Sequence, residues 1–228
     1  MKLLLTNDDG IDAPGIAALA EVAARFGEVF VVAPDQVHSG CGHRVTSDGA
    51  ISIEERAPGR WAISGTPADC VRVALWKLVP DVDWILSGIN AGGNLGVDVF
   101  MSGTVAAVRE AALHAKPGIA LSQYKKTGTE WNWKRAADLA EQTIAKLLSE
   151  TLKPGSFRNV NLPDSGGDDF SPDLRHSPLN PLHLLMDFDE HEGGIRYTGN
   201  YHQRPRTSGD DVDVCFSGNV AITEMSVW

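Results

Sequence analysis

The sequence predicts an α/β fold in which a mostly parallel central sheet is covered by helices on both faces. Two observations carry this expectation. Strand and helix signals alternate from the start of the chain to Leu162, which is the pattern of a parallel sheet crossed by helices. The strand candidates are also nearly continuous apolar runs, as in Leu3-Leu4-Leu5 and Val29-Phe30-Val31-Val32, and such runs suit strands buried on both sides. Together they describe a Rossmann-like three-layer sandwich. The 228 residues, 43% of them apolar, bury enough core for one domain. We read an α/β core over residues 1–162, then a C-terminal irregular, partly β arm with closing strands of the same domain over residues 163–228.

Lys2 to Thr6 reads as the first strand, and Pro14 to Phe26 as a helix with Ile16, Leu19 and Ala23 on one side. Glu28 to Ala33 is a second buried strand stopping at Pro34, and Asp35 to Gly42 is loop. Val45 to Ile53 and Trp61 to Ile63 resemble an excursion of antiparallel strands joined through Pro58-Gly59. Ala68 to Leu78 is helical, started by Pro67 and capped by Thr66. Trp84 to Leu86 is a strand, Ala91 to Gly96 a Gly-Asn loop, and Thr104 to His114 an Ala-rich helix. Ile119 to Ser122 is a strand, Trp133 to Leu148 a long amphipathic helix, and Phe157 to Leu162 the last core strand. Pro163 to Pro181 reads as loop or flexible arm and Tyr197 to Asp211 as polar and irregular; Val212 to Phe216 and Val220 to Thr223 read as short closing strands.

Composition excludes several function classes. No stretch is long and apolar enough to cross a bilayer, and Met1-Lys2-Leu3-Leu4-Leu5 meets polar residues without the body of a signal peptide, so a cytoplasmic location is expected. Cys41, Cys70 and Cys215 are odd in number and widely spaced, which fits packed thiols rather than a disulfide framework or zinc cluster. A formal net charge of −10 argues against long nucleic acid as a partner, because Lys and Arg contacts to phosphate dominate that affinity. A small anionic substrate therefore needs local positive charge, which a metal ion supplies.

The most informative segment is Thr6-Asn7-Asp8-Asp9-Gly10, where two carboxylates follow a buried strand. In open α/β sheets ligands bind outside the carboxyl ends of the strands. Adjacent acids there repel unless a cation lies between them, and oxygen donors suit a hard ion such as Mg2+ or Mn2+. Either Asp9 or Asp12 can instead cap the helix starting at Pro14, and Asp12 is the better placed. Further segments fall at strand ends. Ser39 beside Gly40 offers a hydroxyl, or serves as a turn serine. Asn90 and Asn94 offer amide oxygens among glycines, or occupy left-handed turns. Ser102-Gly103-Thr104 opens a helix whose free amides suit a phosphate, although an ordinary N-cap uses the same residues.

In combination these segments resemble the SurE family of stationary-phase survival nucleotidases. The resemblance rests on Thr6-Asn7-Asp8-Asp9-Gly10-Ile11 with Ala13-Pro14-Gly15-Ile16, on Val31-Val32-Ala33-Pro34-Asp35 with Ser39-Gly40, and on Gly65-Thr66-Pro67-Ala68-Asp69-Cys70-Val71. It continues through Ser87-Gly88-Ile89-Asn90-Ala91-Gly92 with Asn94-Leu95-Gly96 and Ser102-Gly103-Thr104-Val105, in family order. It implies one divalent cation per subunit, Mg2+ or Mn2+, on Asp8, Asp9, Ser39 and Asn90. It implies phosphate contacts from Asn94, Ser102, Gly103 and Thr104. Gly93 stands where relatives usually have Pro, which predicts a more mobile loop. Many relatives continue past the position of Trp228 into a further helix, so their swapped C-terminal contacts are not carried over.

The implied function is release of phosphate from nucleoside 5'-monophosphates, with 3'-nucleotides and short polyphosphate as further candidates. Asp8 and Asp9 are the expected catalytic pair, and His43 is the candidate proton donor to the leaving oxygen, with the substrate-binding set. The expected assembly is a homodimer or dimer of dimers, with Leu182, Leu184, Leu185, Met186 and Phe188 as an apolar contact. The competing class is a phosphate-responsive domain resembling a receiver, suggested by the acid pair and by Lys116-Pro117. It needs an acceptor Asp ending a middle strand, where Trp84-Ile85-Leu86 leads instead to Ser87-Gly88. The Asp-x-Asp nucleophile of haloacid-dehalogenase-type phosphatases is also missing, since Asp8 and Asp9 are adjacent.

Overall fold

A computed structural model describes residues 1–164, 171–184 and 186–228. The chain begins with β1 (Lys2–Thr6), α1 (Pro14–Ala23) and β2 (Glu28–Pro34). After β3 (Ile53–Ala57) and β4 (Arg60–Ile63) come α2 (Pro67–Val73), extended by a π turn, and β5 (Trp84–Ala91). Next are α3 (Gly103–Leu113), β6 (Gly118–Gln123), α4 (Trp133–Leu148) and β7 (Ser156–Leu162). The remainder supplies β8 (Leu174–His176), β9 (Phe188–His191), β10 (Gly194–Tyr197), α5 (Asp211–Phe216) and β11 (Val220–Ser226).

Among the described residues nine strands form one sheet in the order β3-β4-β2-β1-β5-β6-β7-β11-β8, parallel except where β3 meets β4 and β11 meets β7. Side chains alternate across it. Leu3 and Leu5 enter one core with α1 and α4, while Leu4 enters the other with α2 and α3. Val31 and Val32, Leu86 and Ile85, and Ile119 and Ala120 divide in the same way, which makes the three layers. The Ala-rich α3 lies close on the sheet, where a side chain at Gly118 would come within 2.8 Å of Val108 Cβ. Full burial of a side chain such as Leu4 is worth about 1.5–3 kcal/mol, so truncations here weaken the frame that carries the site.

After β1 the chain pairs β2 on one side of it, and β5 later pairs on the other. The strand order thus reverses at β1, which opens a crevice at its carboxyl end. No aspartate ends β5, whose last residues are Ile89-Asn90-Ala91, so a receiver's acceptor is missing.

Several sequence expectations are corrected. Residues 212–216 belong to a helix, because Asp210 caps Asp213 N at 2.8 Å and acids fill the first turn. Residues 45–52 are not strand. Thr46 gives its N–H and hydroxyl to Asp69 at 2.9 and 2.8 Å, and the strand starts only at Ile53. The antiparallel pair expected through Pro58-Gly59 is present as β3 and β4, and β4 also pairs parallel with β2, which joins it to the main sheet. β5 runs on to Ala91, and Gly88 permits this: its φ is +136° and a Cβ would come within 2.2 Å of Leu121 O. Asp12 caps nothing in α1. The N-cap there is Ala13, and Asp12 accepts from Arg60 at 2.9 Å. The expected loop at 163–181 contains β8, which pairs with β11; its residues 165–170 lie outside the described ones. Thr66, by contrast, caps α2 as expected, in a reciprocal box with Asp69.

Candidate active site

The crevice is built from the ends of β1 and β5, the loop after β2 and the start of α3. After β1 the chain turns at once. Asn7 Nδ2 donates to Gly10 O at 2.8 Å, and Gly10 takes a φ of +96°. The turn leaves Asp8 buried and 5% exposed, and Asp9 partly exposed. Thr104 Oγ1 donates to Asp8 Oδ1 at 2.6 Å. A side chain at Gly103 would lie 2.8 Å from Asp8 Cβ and 2.9 Å from Cys41 Sγ, so glycine is what lets the α3 N-terminus close on Asp8. Burial pushes the Asp8 carboxyl up to about 6; the Thr104 bond opposes the shift and the adjacent Asp9 charge adds to it.

Asp9 Oδ2 accepts from Ala91 N at 3.1 Å, which joins the acid pair to the end of β5. Beside it, Asn90 Nδ2 donates to Gly92 O at 2.8 Å and so commits donor capacity of the amide to the loop. Ser39 is exposed in a loop pinned across the crevice, since His38 N donates to Asp8 O at 2.8 Å and Gly42 N to Met101 O at 3.0 Å. The four sequence-predicted ligands therefore lie on strand ends and a loop tied to one another. Among the described residues, no group of three or more His, Cys, Asp or Glu could hold a metal ion; Asp8 and Asp9 with the Ser39 hydroxyl and the Asn90 amide would offer an oxygen-only set. Such a set is hard in character and fits Mg2+ or Mn2+ better than zinc.

The expected phosphate contacts divide. Ser102 Oγ accepts from Val105 N at 3.1 Å and is the N-cap of α3. Thr104 makes a side-chain contact that the sequence did not announce. Its hydroxyl has one proton to give, and that proton goes to Asp8. Gly103 supplies a first-turn amide at the same helix end. Asn94 is held by backbone and side chain together. Its N donates to Asn161 Oδ1 at 2.8 Å, its O accepts from Asn159 at 2.7 Å, and its Nδ2 donates to Ser122 Oγ at 2.8 Å. His43 Nε2 lies 2.8 Å from Glu110 Oε2 on α3. Burial raises the Glu110 carboxyl, but hydrogen bonds from His43 and His114 outweigh it and hold the group below the usual range.

Sequence reasoning missed Glu110, the only acid within α3, and also the clamp on the Gly-Asn loop. Tyr201 donates to Gly93 O at 3.0 Å, Arg204 Nη1 to Leu95 O at 3.2 Å, and Gly96 N donates to Asp211 at 2.8 Å. Arg204 is itself fixed by Asp98, with Nη2 to Oδ1 at 2.9 Å. The loop expected to be mobile for want of a proline is thus tied at four successive positions, Gly93 to Gly96. A Cβ at Gly93 would come within 2.9 Å of the Tyr201 hydroxyl.

Known proteins are similar to this chain in sequence and fold. The family model for Survival protein SurE matches residues 3–176. A relative from Nostoc sp. is 48% identical over 233 residues, covering 100% of both chains. The 5'-nucleotidase SurE of Pelobacter propionicus is 44% identical over 177 residues, which are 76% of this chain and 70% of that one. The crystal structure of SurE protein from Aquifex aeolicus has a TM-score of 0.85 at 28% identity, covering 99% of this chain and 93% of that chain. With the acid pair, the Gly-Asn loop and the α3 N-terminus all inside the matched span, the chain belongs to the SurE survival-protein family.

Proposed function

We propose that this protein is a metal-dependent phosphomonoesterase acting on nucleoside 5'-monophosphates, with 3'-nucleotides and short polyphosphate as further substrates. The observation that carries the reading is a buried Asp8 beside Asp9 at the sheet's reversal point, with the N-terminus of α3 closed against it. The name 5'-nucleotidase SurE, borne by relatives, agrees with it.

In this reading Asp8, Asp9, Ser39 and Asn90 hold one Mg2+ or Mn2+, a Lewis acid that neutralises phosphoryl charge and acidifies water. Thr104 and Ala91 orient the two carboxylates, so the acids are in place before substrate arrives. The Gly103 amide and the α3 dipole receive phosphoryl oxygens, with Asn94 beside them. His43, its Nε2 engaged by Glu110, delivers a proton from Nδ1 to the leaving alkoxide. The test is phosphate release from a panel of nucleoside monophosphates, before and after dialysis against a chelator and again after adding Mg2+ or Mn2+. Activity that vanishes and returns supports the reading. Full activity after chelation removes the cation from it, and a lasting acyl phosphate without turnover would replace it by a receiver-like one.

We further infer a homodimer, alone or paired into a dimer of dimers, joined through the β9–β10 hairpin. Tyr197 pairs with Phe188 in register, and Ile195 lies two residues along the same face, while Asp189, His191 and Arg196 occupy the other. Phe188, Ile195 and Tyr197 are 49%, 65% and 52% exposed, on a two-stranded ribbon that is marginal alone in water. Leu185, expected in this contact, lies outside the described residues.

A further inference from the structure

A cavity of about 410 Å³ opens beside the acid pair, lined by Asp9 and Ala91 themselves and walled by Pro14, Val37 and Trp133. That volume is within the range of about 300–1,000 Å³ typical of small-molecule sites. We propose that it is the nucleoside subsite. In this proposal the base and ribose occupy the cavity while the phosphoryl group lies against Asp8 and the α3 N-terminus. The inference rests on the phosphatase reading above.

Charge decides which end of a nucleotide enters. The lining includes Asp12 and Asp35 besides Asp9, and neither lysine nor arginine. Arg60 offsets Asp12 at 2.9 Å and the cation offsets Asp9 in the phosphatase reading, which leaves Asp35 as the charge on that wall that disfavours a phosphate dianion. An uncharged nucleoside is not disfavoured, and its ribose hydroxyls donate well to carboxylates.

The apolar side suits a base. The Trp133 ring is stacked on Trp131 with centroids 5.5 Å apart and planes 16° from parallel, and Lys125 Nζ lies 5.1 Å from the Trp131 centroid. Gly15 packs beneath Trp133, where a Cβ would come within 3.1 Å of the ring and 1.9 Å of Ile89 O. The indole is therefore held in place before any ligand binds, and stacking on it tolerates any base.

The experiment compares a nucleoside 5'-monophosphate with methyl phosphate, which has no nucleoside, for the wild type, Trp133→Ala, Trp133→Phe and Val37→Trp. The Val37 side chain is 62% exposed, so enlarging it narrows the cavity without disturbing the core. Loss of stacking should lower kcat/KM for the nucleotide by about tenfold or more in Trp133→Ala, chiefly through KM. Trp133→Phe should recover most of it, and Val37→Trp should match the loss. Methyl phosphate hydrolysis should change less than about twofold throughout. Equal losses on both esters, or an unchanged nucleotide KM, would overturn the subsite. Calorimetric binding of the free nucleoside separates this from the parent reading. If the wild type hydrolyses neither ester, phosphatase activity falls, and nucleoside binding that is lost in Trp133→Ala and Val37→Trp still upholds the cavity. Binding equal in all four proteins, or absent from the wild type, sinks it.

Discussion

Thr104 and Asp8, 96 residues apart, share a hydrogen bond of 2.6 Å that fixes a buried carboxylate against the first turn of a helix. Its removal should be felt at the cation and not only in the fold. Thr104→Val nearly keeps shape and leaves Asp8 without that donor. A hydrogen bond to a charged group is worth about 1.5–3 kcal/mol, so kcat/KM should fall by about tenfold or more. The Mg2+ concentration needed for half-maximal activity should rise with it. A lower melting temperature with unchanged metal titration and activity would leave Thr104 a purely structural residue.

Stability and function should oppose each other at Asp8. Its folded pKa is raised from 3.8 to about 6, so its contribution is fully present below the unfolded value and is lost as pH rises through the folded one. By pH 7, with metal removed, the cost is on the order of 3 kcal/mol. Asp8→Asn should therefore melt higher than the wild type at pH 7 while losing most activity, and the difference should shrink toward pH 4. Thermal melts in chelator across that range decide it. A mutant that melts lower at pH 7 would contradict the burial cost.

The proton donor can be tested through the leaving group. His43→Asn should slow release of phosphate from nucleoside monophosphates by about a hundredfold, the typical worth of a general acid. The p-nitrophenyl ester, whose phenolate departs without a proton, should slow far less. Equal slowing of both esters would make His43 a binding or packing residue.

Assembly is read most directly by light scattering over a dilution series. A mass near twice 24.5 kDa is expected, and Phe188→Asp combined with Ile195→Asp should lower it to that of one chain without unfolding the sheet. A wild-type monomer at every concentration would remove the hairpin's proposed role.

Legibility in the sequence followed the range of the interactions. The acid pair was readable because Leu3 to Gly10 holds strand, turn and carboxylates in one short segment. The parallel sheet was readable because β1 and β2 carry unbroken apolar runs and helix signals follow the strand signals in turn. Residues 212–216 misled because Val212 and Val214 alternate as in a strand, while the deciding cap, Asp210, stood just outside the apolar window. The β9–β10 hairpin was missed because, of its apolar face, only Phe188 stood in the apolar cluster at 182–188, while Ile195 and Tyr197 lie across the turn among polar residues. Thr104 was legible as a site residue but its bond to Asp8 was not, because nothing local says that its hydroxyl meets a carboxylate 96 residues away. Tyr201, Arg204 and Asp211 were invisible. They reach the Gly-Asn loop across 108, 109 and 115 residues from a segment that looks merely polar.

The same clamp sets a timetable. On a chain made from its N-terminus, β1, β5 and the start of α3 are complete while residues 201–211 are still to be synthesised. The crevice can then have its floor, and Asn94 its ties to Ser122, Asn159 and Asn161, but not the contacts at Gly93, Leu95 and Gly96 that finish its rim. The rim of the site is thus completed by residues made some hundred positions after the loop they hold.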